Sequence, residues 1–421
     1  MMSDGKYKWL LLGLLSCTFF FHQADRALFG LLTIPIQNEL HLTDVQIGWI
    51  NTVLSWTLAG MAFIAGPIGD RYSRKWLITG SLIAWSLMTF MMGFVGDWRI
   101  CGVFLPAFFV VIFFRSIATG VGESFYGPCY VPLIAAYHKA TRSLALSIHQ
   151  GSLYFGLMVS GVLTAWALGI LGDWRYVFMV FGAAGFALGV SFIWLLKDSP
   201  SAARASGVKG TSPLAGFAVF FKTPSAWLAM TGFIAIVFVN NAYLFWAPKF
   251  MAEKFGVSVG EAGAQTMFYH HLLAFIAILA GGVITDRFVK RWPRFRLGFQ
   301  VLALLAGAPC LVMTGFASTA IGMVVMAALY GIFRGFFEVN THASLFDVIA
   351  PAYRSTAVGI FTVFAFFFGG LSGVLMGALS QKYGVHGFEI GFSVMGASYV
   401  IGALLMTVSF FVTFKRDRIA E

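Results

Sequence analysis

A chain of 421 residues in which 59% are hydrophobic and only 11% charged lacks the charge of a soluble surface, where roughly a quarter of residues are charged. Its net charge of +11 would suit nucleic acid, but the cations sit between long apolar runs and not in one basic patch, so no nucleic-acid partner is expected. Cys17, Cys101, Cys129 and Cys310 have no metal-ligand spacing and read as small apolar helix residues, so neither metal nor cofactor is expected.

A membrane-spanning helix needs ~20 apolar residues. Twelve stretches qualify, at about 9–36, 45–68, 76–96, 102–128, 143–170, 176–197, 225–248, 265–284, 297–316, 320–347, 357–380 and 389–414. The first follows Lys6 and Lys8, and its Leu14-Leu15-Ser16-Cys17 imitates a lipoprotein signal peptide. Cleavage there would leave an odd number of spans and strand Asp25 and Arg26 at a free end, so the stretch is read as a span. Those two adjacent charges lie deep in it. The fourth stretch carries Arg115, then Glu123 near its Gly127-Pro128 end. The seventh supplies Asn240, Asn241, Tyr243 and Trp246, suited to hydrogen bonding and ring stacking, and the tenth has Arg334 and Glu338.

A charge at the bilayer centre costs ~2.5–3.5 kcal/mol on insertion scales, so such residues face a bundle interior or a watery cavity. Positions 115 and 123 stand about 80° apart around a straight helix and ~12 Å apart along it, so both can border one cavity without pairing. Arg334 and Glu338 can pair across one turn; an internal ion pair explains them as well as a functional role does. Asp25 with Arg26 could likewise be a structural pair, and Glu123 a gate residue. His22, His149, Gln150, Tyr269, His270, His271, Asn340 and His342 add polarity inside spans and read mostly as hydrogen-bonded packing groups. The His270-His271 pair lacks a cysteine or carboxylate at ligand spacing, which argues against a metal site.

With both termini cytoplasmic, 20 of the 25 cations outside the spans fall on the cytoplasmic side, as the positive-inside rule requires. The chain also repeats itself. Gly66-Pro-Ile-Gly-Asp70-Arg71 recurs as Gly282-Val-Ile-Thr-Asp286-Arg287 after 216 residues, Arg142-Ser-Leu-Ala145 as Arg354-Ser-Thr-Ala357 after 212, and Arg115 has its counterpart in Arg334 after 219. Two six-helix halves are expected, at 1–197 and 225–421, joined by a cytoplasmic linker at 198–224 with turn and coil chemistry throughout. The fold class is therefore all-α integral membrane, with twelve spanning helices in two pseudo-symmetric halves.

Gly66-Pro-Ile-Gly-Asp70-Arg71-Tyr-Ser-Arg74-Lys75 resembles the loop between helices 2 and 3 of the major facilitator superfamily, with Ser73 where glycine is usual. Ala24-Asp25-Arg26-Ala27 and the pair Arg115 and Glu123 resemble the anion:cation symporter and Spinster-like branches. There the helix-4 Arg and Glu stand one residue closer together than the eight positions found here. The resemblance implies a central cavity lined by helices 1, 4, 7 and 10.

It also implies alternating access in a secondary transporter of the cell (inner) membrane, acting as a monomer on a small organic anion such as a sugar acid. Arg26, Arg115, Asn240, Tyr243, Trp246 and Arg334 are the expected substrate-binding residues. Asp25, Glu123 and Glu338 are expected to couple transport to protons, and Asp70, Arg71, Asp286 and Arg287 to form contacts that break as the halves rock. A planar, permanently charged guanidinium suits a carboxylate, and a carboxyl group in a cavity can take up and release a proton with substrate. A Spinster-like exporter of lysolipid or lipid remains an alternative and would need a lateral, more apolar cavity. A transporter-like sensor would need an added cytoplasmic module, for which the linker and the Lys415–Glu421 tail look too short. No nucleophile, base or metal constellation suggests an enzyme.

Overall fold

The computed structural model describes residues 4–139, 141–198 and 213–419, the side chains of Asp4, Asp70, Ser143, Pro213 and Leu214 excepted. Most of the expected linker, residues 199–212, lies outside the described residues. Among the described residues, eleven helices are long and apolar enough to cross a membrane. A further long helix, α1 (Asp4–Leu31), carries the polar run His22-Gln23-Ala24-Asp25-Arg26 within its apolar length. Large apolar side chains stand outward on these helices, with Ile321 76% and Val283 72% exposed. That surface is one a bilayer covers and water would not.

The chain divides into two compact units, Met1–Lys209 with Ser258–Ala264, and Gly210–Val257 with Gln265–Glu421. In unit 1, α1 is followed by α2 (Thr33–Leu40), α3 (Asp44–Arg71) and α4 (Arg74–Met91). Thr43 and Gln46 form a capping box that starts α3, and the Ser73 hydroxyl caps α4. The fourth span was expected from residue 102, but a hairpin precedes it. Strands β1 (Trp98–Ile100) and β2 (Val103–Leu105) pair antiparallel around Cys101 and Gly102, both at positive φ, as a two-residue turn of this hand requires.

The fourth span is then assembled from α5 (Ala107–Val111), a π-helical turn at Ile112–Ala118, α6 (Thr119–Ser124) and α7 (Tyr126–Tyr137). It runs past the expected end at Gly127-Pro128, because Pro128 falls in the first turn of α7, where a missing N–H is tolerated. α8 (Arg142–Leu171) and α9 (Trp174–Leu195) complete the unit. α1 packs along α8 and α4 along α9. The first contact is close enough that a Cβ on Gly156 would meet the Phe20 carbonyl at 2.6 Å.

Unit 2 repeats this plan. It contains α10 (Pro213–Lys222), α11 (Pro224–Phe255), α12 (Val259–Val289, whose first residues cluster with unit 1), α13 (Phe295–Phe316) and α14 (Ala320–Glu338). There follow α15 (Thr341–Phe346), α16 (Arg354–Tyr383), α17 (Val385–Val408) and, after a π-helical turn at Ser409–Thr413, α18 (Phe414–Asp417). α11 packs along α16 and α13 along α17. These are the first with the fifth and the third with the sixth long helix, the same pairs as in unit 1.

Two expectations change here. The linker is not coil throughout, since α10 is helical and buries Phe220 edge-on against Phe361. Lys249, which follows directly on the stretch read as a span at 225–248, is 3% exposed within α11, with its ammonium 3.5 Å from Glu253 and 5.6 Å above the Trp246 ring. A long alkyl stem lets such a lysine lie along apolar surface.

Candidate functional site

In unit 1 the charges meet on one face of α1. His22, Arg26 and Phe29 recur at helical spacing, and each has a partner on the fourth span. Glu123 is 3% exposed, with Oε2 lying 3.3 Å from His22 Nε2 and 3.9 Å from Arg26 Nε. The Gln23 amide lies 3.0 Å from His22 Nδ1 and donates to it, which leaves the ring proton on Nε2, the nitrogen nearer the Glu123 carboxylate, whose two oxygens have no hydrogen-bond partner among the described residues. Arg115, also 3% exposed, donates from Nη2 to the Arg26 carbonyl at 3.0 Å and lies over the Phe29 ring. Its Nε and Nη1 are buried with no hydrogen-bond partner among the described residues. Asp25 accepts a hydrogen bond from Thr89 of α4 at 2.9 Å and is also within electrostatic reach of Arg115, Glu123 and His22. Asp25 bonds to α4 while Arg26 reaches Glu123 on the fourth span, so each of the two adjacent charges has a partner on another helix.

The π-helical turn explains how Arg115 and Glu123 both reach α1. A π turn accommodates one extra residue in a helix. Eight positions with one absorbed behave like seven, which brings the two side chains within about 20° of one face. Just after the turn, the Thr119 hydroxyl donates back to the Phe114 carbonyl five residues earlier, and within it Ser116 donates to the Ile50 carbonyl of α3 at 2.6 Å. The straight-helix estimate of about 80° is thereby corrected.

Unit 2 gathers a second cluster. Arg334 is 3% exposed and pairs through Nε with Glu338 at 2.8 Å; its Nη1 lies 3.1 Å from His270 Nε2. His270 Nδ1 faces the Ala327 carbonyl at 2.9 Å, so Nδ1 carries the proton and Nε2 accepts from Arg334. Gly331 makes this possible, because a Cβ there would collide with the His270 carbonyl. Tyr243 lies tilted at 4.5 Å and Tyr330 stacks at 4.8 Å from the same imidazole, and the Tyr243 hydroxyl donates to the Thr266 carbonyl. Asn240 is half-buried and Asn241 buried on α11. Trp246 does not join this cluster. It is fully buried against Phe388, with its indole N–H unpartnered among the described residues.

The expected gating residues are at helix ends. Arg71 and Arg287 lie exposed in the last turns of α3 and α12, where a cation complements the helix dipole. Asp286 is exposed beside Arg287, and neither makes an ion pair among the described residues; the Asp70 side chain lies outside them. Three participants escaped the sequence reading. Thr89 drew no notice, and His22 and His270 were read as packing groups, although His22 sits one helical turn before Arg26.

A buried guanidinium with unmatched N–H groups, near a buried carboxylate that faces an imidazole, can receive an anion and hold a proton. Leaving such donors unpaired in an apolar interior is costly, and a bound carboxylate would satisfy them.

The family model described as Major Facilitator Superfamily matches residues 14–321. Among curated relatives, a probable galactarate/D-glucarate transporter of Escherichia coli K12 is 24% identical over 402 residues, covering 89% of this chain and 88% of its own. Protein spinster homolog 1 of Rattus norvegicus is 26% identical over 379 residues, covering 84% and 69%. Among solved structures, a bacterial homologue of the human lysosomal transporter Spinster, inward-facing and unoccupied, superposes with a TM-score of 0.81 at 20% identity, over 98% of this chain and 99% of that one.

Proposed function

The chain belongs to the Major Facilitator Superfamily, is a multi-pass membrane transporter and not an enzyme, and on that premise we propose that it moves a small organic anion coupled to protons by alternating access. The buried, half-satisfied guanidinium of Arg115 carries this reading. Arg115 and Arg26 would hold the substrate carboxylate, and Arg334 of unit 2 is a further candidate for binding an anion. Tyr243 and Asn240 would flank the organic body. A sugar acid is the favoured class, since a relative's name specifies galactarate and D-glucarate.

Proton coupling follows from the same geometry. With substrate absent, Glu123 faces the His22 N–H and the Arg26 guanidinium. An arriving carboxylate competes for the Arg26 guanidinium, so Glu123 gains a proton as the anion binds. Asp25, held by Thr89, provides a second carboxyl group beside the same face of α1. Both termini are proposed to be cytoplasmic, and the protein to act as a monomer in the cell membrane.

Counterflow uptake in proteoliposomes against a panel of sugar acids, simpler carboxylates and neutral sugars tests the class. Uptake of a neutral sugar alone would sink it.

One feature favours a second reading, export of a lysolipid or lipid. A cavity of about 570 Å³ on unit 1 is lined almost wholly by apolar groups, among them Trp76, Leu77, Ala84, Met88, Val121 and Phe125. Including a lysophospholipid in the panel separates the two.

A further inference from the structure

At one end of unit 2, the loop after α12 and the end of the last long helix enclose a cavity of about 460 Å³. Trp292, Pro293, Phe410 and Phe414 line it on the apolar side, and Arg294, Lys415 and Arg418 supply three cations. Nearby cations are already used: Arg296 pairs with Asp347 at 2.7 Å and Arg416 with Asp417 at 2.8 Å. The three in the cavity wall have no carboxylate partner among the described residues, and Arg294 is half-buried with its guanidinium over the Phe410 ring.

Position identifies the medium. Phe411 and Val412, beside the cavity, are 68% and 70% exposed, and Trp292 is 53% exposed. Such residues at a helix end lie against acyl chains and the headgroup boundary. The cavity thus joins an apolar wall open to lipid with a basic wall open to water. It also lies at the end of the molecule that the bias of Arg287, Lys290, Arg291 and Lys415 makes cytoplasmic, where anionic lipids concentrate in many membranes.

We propose that this cavity is a binding site for one anionic phospholipid. The headgroup phosphate accepts hydrogen bonds from Arg294, Lys415 and Arg418, and an acyl chain lies along Phe410, Phe414 and Trp292. A zwitterionic lipid would bring its own cation against the three here and bind less well. Each surface cation contributes roughly five-fold to such an attraction, so removing all three should weaken binding on the order of a hundred-fold.

Native mass spectrometry of the full chain in detergent reads this directly. Phosphatidylglycerol is titrated in, with phosphatidylcholine of the same acyl composition and glycerol 3-phosphate as separate arms. The triple variant Arg294→Gln, Lys415→Gln, Arg418→Gln is compared with Lys6→Gln, Lys8→Gln, Lys382→Gln, which removes as much charge elsewhere. Melting in phosphatidylcholine confirms that both remain folded. The expected result is a phosphatidylglycerol adduct lost from the first variant and kept by the second. Equal affinity in the two variants, or phosphatidylcholine binding as tightly as phosphatidylglycerol, would overturn the site. Displacement by glycerol 3-phosphate alone would show a free-phosphate site and overturn the lipid assignment.

Discussion

Arg115 and Glu123 occupy the same span, and the proposed function gives them opposite tasks. Arg115 has N–H groups to spare and cannot lose its charge, whereas Glu123 lies beside the His22 ring and the Arg26 cation and can. Arg115→Ala is therefore expected to weaken anion binding at least roughly 30-fold, the lower end of the 2–5 kcal/mol lost when one partner of a buried charge pair is truncated. Binding isotherms with the best counterflow substrate measure it; normal affinity would move the anion site to Arg26. Asp25→Asn and Glu123→Gln should behave differently. Each amide mimics a permanently protonated acid, so counterflow should continue while accumulation driven by a proton gradient is lost. Full gradient-driven accumulation in both variants would refute the coupling role. Arg115 and Glu123 were legible because charge inside an apolar run is costly wherever the chain folds. Thr89 was not. A threonine in an apolar helix commonly bonds back to its own carbonyls, as Thr57 does to Val53, so residue type alone gave no reason to single it out. Likewise His270 meets Arg334 across 64 positions, a contact that only tertiary packing reveals.

At the level of the helix, the π turn at Ile112–Ala118 sets the register of the fourth span. If it holds one surplus residue, deleting Ile117 should let the turn relax to α-helix and leave Arg115 and Glu123 facing α1. Ile117 is exposed, so its loss removes no core contact. Inserting an alanine after Gly120 should instead rotate Glu123 by about 100° away from His22. The deletion is expected to bind substrate within a few-fold of the parent, and the insertion to lose gradient-driven uptake. Equal damage in both variants would show that the π geometry itself is needed. Only the eight-position spacing hinted at this turn, since no composition signal marks it. Helix ends were poorly legible for a related reason. Hydropathy reports the stretch that lipid contacts, but backbone hydrogen bonds continue beyond it, so α12 runs over Val259–Val289 where 265–284 was read. The hairpin before α5 was hidden because Val103, Phe104 and Leu105 are apolar enough to pass as the start of a span.

Across the whole molecule, the repeat visible in the sequence becomes a repeat of packing. The offsets of 216, 212 and 219 residues relate helix ends and buried arginines. Correspondingly, α1 on α8 and α4 on α9 in one unit match α11 on α16 and α13 on α17 in the other. This much was legible because equivalent helices keep equivalent end signals. The clusters within each unit were less so, because they depend on which face each helix turns inward. The orientation in the membrane is the remaining step, and it rests on charge. With both termini cytoplasmic, 20 of the 25 cations outside the spans lie on that side, and the reverse orientation would place 20 outside. Each misplaced loop cation opposes the positive-inside bias, so the two orientations are far from equivalent. Reporter fusions after Lys209 and after Glu421 should therefore both read cytoplasm, because an even number of spans separates them. A reporter inserted in the turn at Cys101-Gly102 should read the opposite side. If the two cytoplasmic fusions disagreed with each other, a span would have been miscounted. If all three were inverted, Arg287, Arg294 and Lys415 would face outward, and the anionic-lipid cavity would have to draw on the other leaflet.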